Sequence, residues 1–286
     1  MARSDGAPAR GVRVWSARTD RPAAQEEALL DLLTPAERER YAGMPREARS
    51  PYVTAHALLR LGVARVLEVA PRRLHVVRDA VGRPVVPAAP WLRLSLSHTR
   101  GAVLVGCSAG SPLGLDVERV RPVRGERELA ARVLDPADLT RWSRLARPAA
   151  RPALFARWTC KEAVLKGLGT GLAGGLRRVR AEPGDPHRWS VAGAPVPHWL
   201  TTPLAVGPHH VAALALPAAG SDQTLLEGER HGQRAVGGVQ LGEQVGDVPL
   251  DAVLGDGEPS GDLLVAHALG EQREHLLLTG GEGDLA

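Results

Sequence analysis

The chain divides at Pro217, and only the part before that point can build a core. Of the 286 residues, the 69 beyond Pro217 contain no Phe, Trp, Tyr or Lys, and 14 of them are Gly. Apolar patches such as Leu263-Leu264-Val265 and Leu276-Leu277-Leu278 never join into a periodic element. A segment without large side chains to bury cannot offset the entropy of ordering its backbone. Residues 218–286 are therefore expected to form an acidic, Gly-rich tail, disordered or weakly ordered, the alternative being a short segment that folds on a partner. The preceding 217 residues are long enough for one large core or two modest ones.

Charge follows the same boundary. Up to Pro217 there are 33 basic and 19 acidic side chains, net +14, and beyond it 3 and 13, net −10. The first part should attract an anion: nucleic acid, a phosphorylated small molecule or an acidic protein. Aromatic residues make up only 3%, too few for base stacking, and no nucleic-acid-binding motif is present, so nucleic acid is the weakest of the three. No apolar run approaches the roughly 20 residues of a membrane helix, and the first residues lack a signal-peptide pattern. Two cysteines, Cys107 and Cys160, are too few for a disulfide framework, which makes a cytoplasmic location the expectation.

Periodicity predicts an opening strand at 11–17, a capped helix from Thr34-Pro35-Ala36-Glu37 and a longer helix over about 48–70. Short strands are expected around 74–78, 92–96, 102–107 and 113–120. Asp135-Pro136 starts a short helix, and a longer one runs from about Pro152 to Leu168, broken by Gly167, Gly169 and Gly171. Strands at 176–181 and 210–216 close the pattern. The order is strand, helices and strands, then the same again, which points to an α+β fold of two similar halves, 1–110 and 111–217.

Three clusters could carry chemistry. In Gly114-Leu115-Asp116-Val117-Glu118, strand alternation puts Asp116 and Glu118 on one face. Two neighbouring carboxylates invite a hard cation such as Mg²⁺; taken alone, a solvated strand face balanced by Arg119 and Arg121 is the commoner reading. In Trp158-Thr159-Cys160-Lys161-Glu162-Ala163-Val164-Leu165-Lys166, helical spacing aligns Trp158, Glu162 and Lys166, while Lys161 points elsewhere. The chain holds 34 Arg and only these two Lys, so an ammonium looks selected at both positions, against the bland alternative of an exposed Glu–Lys pair. In Ser95-Leu96-Ser97-His98-Thr99, a hydroxyl and an imidazole could hold a phosphate, although a His capping a turn is commoner. Ser97 and His98 point to opposite strand faces, which argues against a hydrolase relay. Together the clusters supply a metal site, a base and phosphate ligands, the parts of a metal-assisted transfer.

In order and spacing, GLDVE (114–118) and WTCKEAVLK (158–166), preceded by SLSHT (95–99) and Gly82-Arg83-Pro84, resemble the 4'-phosphopantetheinyl transferases of the surfactin-synthetase-activating type. The resemblance runs from about Val14 to Leu216 and includes Leu33–Arg38 and Ala57–Arg60. It implies a monomer of two α/β halves in pseudo-twofold arrangement, with coenzyme A in the cleft between them. It also implies transfer of phosphopantetheine from coenzyme A to a serine of an apo acyl or peptidyl carrier protein, for polyketide or nonribosomal peptide synthesis. By this resemblance Asp116, Glu118 and Glu162 are ligands of Mg²⁺ (or Mn²⁺), with Asp116, Glu162 and Lys166 catalytic and Glu162 the base. Coenzyme A is expected to meet Arg83, Ser97, His98, Lys161 and Lys166, with His98 at the 3'-phosphate. In relatives, basic residues before the long helix also contact the 3'-phosphate, and here Arg38, Arg40, Arg46 and Arg49 are the candidates, Arg46 being favoured. Arg83 stands where the family often has Lys, and the tail has no counterpart. The rival readings are a coenzyme A- or carrier-binding protein without catalysis and, more remotely, a basic nucleic-acid-binding protein. No nucleic-acid or membrane partner is expected.

Overall fold

The computed structural model describes residues 11–20, 23–171, 175–218 and 246–247. Apart from Gly246–Asp247, the expected tail lies outside the described residues.

The first sheet contains β1 (Val12–Arg18), β4 (Leu92–Thr99) and β5 (Ala102–Ala109). Its order is β11-β1-β5-β4, with β1 and β4 each antiparallel to β5 and the two-residue β11 (Gly246–Asp247) parallel to β1. Three helices precede β4 in the chain: α1 (Ala23–Leu30), α2 (Pro35–Ala42) and α3 (Arg46–Leu67), followed by a small hairpin of β2 (Val77–Arg78) and β3 (Pro84–Val85). The Thr34 signal forms a complete capping box, in which the hydroxyl takes the Glu37 backbone N–H and the Glu37 carboxylate takes that of Thr34. Helix α3 packs Val53, Ala57, Leu58 and Val63 against the sheet, all fully buried. It ends at Leu67, three residues before the expected limit, where Glu68 turns left-handed with φ 53°.

The second sheet contains β6 (Gly114–Arg119), β7 (Val179–Glu182), β8 (Asp185–Val191), β9 (His198–Pro203) and β10 (His210–Pro217), antiparallel throughout in the order β6-β10-β9-β8-β7. Helices α4 (Glu126–Val133), α5 (Pro136–Ser143) and α6 (Arg147–Leu168) lie between β6 and β7 in the chain. Helix α6 begins five residues earlier than expected, at Arg147, and carries Pro152 inside it. Gly167 belongs to the helix rather than breaking it; Gly169 is the left-handed cap, with φ 75°. A side chain at 167 would strike the Trp199 ring at 2.4 Å. The hydrogen atom of glycine lets α6 lie directly on Trp199, which opposes Trp189 across β8 and β9. Both rings are fully buried, and each indole N–H is satisfied, by Thr201 Oγ1 and the Val196 carbonyl.

The two sheets meet edge to edge at β4 and β6. No backbone ladder joins them there. Instead, Ser95 Oγ accepts the Leu115 N–H at 2.9 Å and Ser97 Oγ accepts the Val117 N–H at 3.2 Å. Behind this seam Val14, Leu104, Leu115, Val117 and Leu214 form one apolar cluster drawn from both sheets.

Candidate active site

The alternation along β6 sends Leu115 and Val117 into the apolar cluster and Asp116 to the opposite face, beneath α6. Asp116 is 4% exposed. Its Oδ1 receives hydrogen bonds from Ser97 Oγ at 2.9 Å and Lys166 Nζ at 2.7 Å, and Lys166 also donates to Ser97 Oγ at 2.8 Å. Ser97, Asp116 and Lys166, from β4, β6 and α6, therefore form one closed triangle at the seam.

Glu162 lies one helical turn before Lys166 on α6 and is 7% exposed. Asp116 Oδ2 and Glu162 Oε1 are both buried without a hydrogen-bond partner. Buried carboxylate oxygens normally find donors, so this pair of bare acceptors is suited to a cation. Burial raises the Glu162 pKa, the charge of Asp116 raises it further, and Lys166 and Trp158 oppose the change. Glu118 is pushed up to about 7, by burial first and then by the Asp116 charge, with a smaller rise from Glu162. The three acids thus sense one another electrostatically. Among the described residues no three acidic, His or Cys side chains already converge into a coordination cage; the Lys166 ammonium sits on Asp116 instead. The donor set fits a hard, oxygen-seeking ion.

His98 follows Ser97 on β4. Its pKa is lowered, first by desolvation and then by the positive charges of Lys166, His56 and Arg78, which makes its surroundings electropositive. A cavity of about 490 Å³ opens beside the triangle, lined by Arg40, Tyr52, His56, Arg78, Arg83 and Lys166 among others. A second hollow of about 450 Å³ shares Arg83, Pro84, Leu94 and Lys166 with it and reaches Trp199. Arg83 bonds Asp79 through Nε at 2.8 Å and lies over Gly169, where a Cβ would meet its guanidinium at 2.2 Å.

Two expected contacts are not brought to this place. Lys161 is fully buried, and its Nζ donates to the Val133 carbonyl at 2.7 Å. One residue from Glu162 on a helix is a turn of about 100°, so the ammonium points into the packing against α4 rather than to the cavity. Burial lowers its pKa to about 8, against the pull of Asp135 and Asp138. Arg46, at the start of α3, is exposed and is not part of the cavity wall; Arg40 and Arg78 are. Sequence reasoning did not single out His56 or Arg78. The readable signal for His56 was the i, i+4, i+8 row Tyr52, His56, Arg60, polar groups interrupting an otherwise apolar helix.

Comparison with known proteins points to one family. Residues 112–215, which hold β6, α6 and β10, match the 4'-phosphopantetheinyl transferase superfamily (ACPS). The chain is 28% identical over 200 residues to the 4'-phosphopantetheinyl transferase homologue slr0495 of Synechocystis sp., covering 64% of this chain and 80% of that one. It is 27% identical over 218 residues to the 4'-phosphopantetheinyl transferase HetI of Nostoc sp., covering 73% and 89%. Over 102 residues it is 33% identical to the 4'-phosphopantetheinyl transferase psf-1 of Bacillus pumilus, covering 35% and 42%. The two bare carboxylate oxygens and the lysine lie inside the segment that matches the 4'-phosphopantetheinyl transferase superfamily, and the similarity marks the chain as a transferase enzyme.

Proposed function

We propose that the protein moves the 4'-phosphopantetheine group of coenzyme A onto a serine of an apo acyl or peptidyl carrier protein, in the manner of the surfactin-synthetase-activating type and with Mg²⁺ as cofactor. The observation that carries this reading is the pair of bare oxygens, Asp116 Oδ2 and Glu162 Oε1, next to Lys166 in the cavity wall. Asp116, Glu118 and Glu162 would hold the cation. When bound, it supplies a Lewis acid that neutralises pyrophosphate charge and polarises the phosphorus under attack.

The chain's own groups do the rest. Glu162 takes the proton of the incoming serine; its raised pKa makes it a better proton acceptor than an ordinary carboxylate. The serine oxygen bonds to the phosphorus bearing the pantetheine, the bond from that phosphorus to the bridging oxygen breaks, and adenosine 3',5'-bisphosphate leaves with the electron pair. Lys166 balances the charge that grows on the leaving phosphate. Ser97 positions Lys166 and Asp116, His98 meets the 3'-phosphate, and Arg83 lies beside the adenine. Residues 1–110 and 111–217 act as the two halves around the ligand, in a monomer. The net +14 of the first 217 residues suits both a polyanionic donor and an acidic carrier.

The test is the intact mass of an apo carrier protein incubated with enzyme, coenzyme A and Mg²⁺. Gain of one phosphopantetheine, lost with a chelator or with Glu162→Gln, supports the assignment. A carrier left unmodified by an enzyme that also fails to bind coenzyme A overturns it.

A further inference from the structure

The second hollow, of about 450 Å³, is not used by the proposed chemistry beyond Arg83 and Lys166 in its wall. It opens where the seam between the sheets ends. On β4, Ser97, Ser95 and Arg93 share one face. The two serines take the Val117 and Leu115 N–H groups, and the same register carries Arg93 to Leu113. There β6 has not yet begun. Arg93 is exposed and lies in no ion pair among the described residues.

The wall is chemically one-sided. Among the described residues its charged groups are Arg83, Arg93 and Lys166, all positive, and the rest of the lining is Pro, Gly, Ala, Val, Leu and Trp. Five of these are prolines, Pro84, Pro87, Pro90, Pro112 and Pro195, which have no backbone N–H to offer. The Trp199 indole N–H is already spent on the Val196 carbonyl. A polar ligand would lose its hydrogen bonds to water here without replacement, and a cation would be repelled. Arg83 and Lys166 are engaged with Asp79 and Asp116, which leaves Arg93 to meet an anion.

We infer that this hollow binds a small amphiphilic carboxylate, an acyl chain with a free carboxyl group. The chain lies against Leu113, Val196 and Trp199, and the head meets Arg93, with Arg83 beside it. A guanidinium matches a planar carboxylate through two parallel N–H bonds. The volume lies toward the small end of the range for small-molecule sites, about 300–1,000 Å³, and takes a single chain. Arg83 and Lys166 also line the larger cavity, so the two hollows draw on the same pair of cations. A seated carboxylate therefore lowers the positive potential offered to an anion next door; that consequence alone rests on coenzyme A being the ligand there.

The experiment is calorimetric titration of the full chain, as wild type, Arg93→Ala and Arg93→Glu, with decanoate, hexanoate, decanol and decylamine, each kept monomeric in solution. One decanoate per chain should bind, about tenfold or more tighter than hexanoate, because each buried methylene strengthens binding roughly threefold. Decanol should bind about tenfold more weakly than decanoate, and decylamine not at all. Arg93→Ala should weaken decanoate about tenfold and change decanol by less than about twofold; Arg93→Glu should abolish decanoate binding. A wild type without affinity for decanoate, equal affinity for decanoate and decylamine, equal losses of decanoate and decanol in Arg93→Ala, or wild-type affinity in Arg93→Glu would overturn the inference. Saturating decanoate should also weaken coenzyme A about threefold or more. Unchanged affinity for coenzyme A overturns the coupling of the two hollows, whereas a protein that takes decanoate but no coenzyme A removes the proposed function and leaves this site standing.

Discussion

A methyl group on Gly114 would stand 1.8 Å from the carbonyl oxygen of Ala163. Strand β6 and helix α6 are therefore in backbone contact at the point where one carries Asp116 and the other Glu162. Any side chain at 114 must push the helix away and, with it, Glu162 and Lys166. Gly114→Ala is expected to cost about 3 kcal/mol or more of stability and to reduce transfer far more than its size suggests. Thermal unfolding together with the carrier-mass assay would check this; full activity at an unchanged melting temperature would contradict the contact.

Asp116→Asn and Glu162→Gln should leave a folded protein without transferase activity. Glu162→Gln removes charge from carboxylates that repel one another and should cost no more than about 1–2 kcal/mol of stability, whereas Asp116→Asn also breaks the buried pair with Lys166 and should cost more, on the order of 3 kcal/mol. Mg²⁺ should raise the melting temperature of the wild type, through preferential binding to the folded state, and should do so much less in either variant. An equal rise in all three proteins would remove these carboxylates from the metal site.

Glu37 makes a prediction about acid. Burial would raise its pKa, but its contacts with His56, the Thr34 N–H and Arg60 outweigh that and lower it to about 2 from an ordinary value near 4.5, so the folded state binds its proton less readily than the unfolded chain. The stabilisation is fully present above about pH 4.5 and is lost as pH falls toward 2, amounting to on the order of 2–3 kcal/mol. Denaturant titrations between pH 6 and 3 should show the wild type losing stability more steeply than Glu37→Gln. Parallel curves would mean that the carboxylate is not paired as described.

Lys161 offers the opposite case. Its ammonium is fully buried against one backbone carbonyl, and its folded-state pKa is lowered to about 8. Charging it is therefore less favourable in the folded protein than in the unfolded chain, although the ammonium still predominates at pH 7, and stability should rise as pH passes from about 8 to 10.5. Lys161→Met, which fills the volume without the charge, should be as stable as the wild type or more so at pH 7. It should bind coenzyme A within about twofold of the wild type, as measured by calorimetry. A tenfold loss of affinity would return Lys161 to the ligand.

What could be read from the letters follows from how local each signal is. The Thr34–Glu37 box, the Asp135 cap and the alternation of Asp116 and Glu118 depend on neighbours within four residues, and each is present as expected. Strands β8 and β9 were missed because Pro186, His187 and Arg188 hide the alternation, and the burial of Trp189 becomes visible only once Trp199 lies opposite it. The scarcity of lysine drew attention to both Lys161 and Lys166. Scarcity says that an ammonium was retained, not where it points; the five residues between them turn the helix by a net of about 140° and send Lys166 to the cavity and Lys161 into packing. His56 and Arg78 are 22 positions apart and meet only when the β2–β3 hairpin folds back over α3, so no short window could join them.

Two serine hydroxyls, Ser95 and Ser97, latch one sheet to the other where a ladder of peptide bonds would ordinarily run. A hydroxyl latch has one rotatable bond and can be undone without unfolding either sheet. The candidate site is consequently a property of the joint: Ser97 arrives with one sheet, Asp116 with the other and Lys166 with α6, and neither sheet forms it alone. A load on one sheet while the other is braced would strain this latch first, making alignment at Asp116 sensitive to what is seated on both.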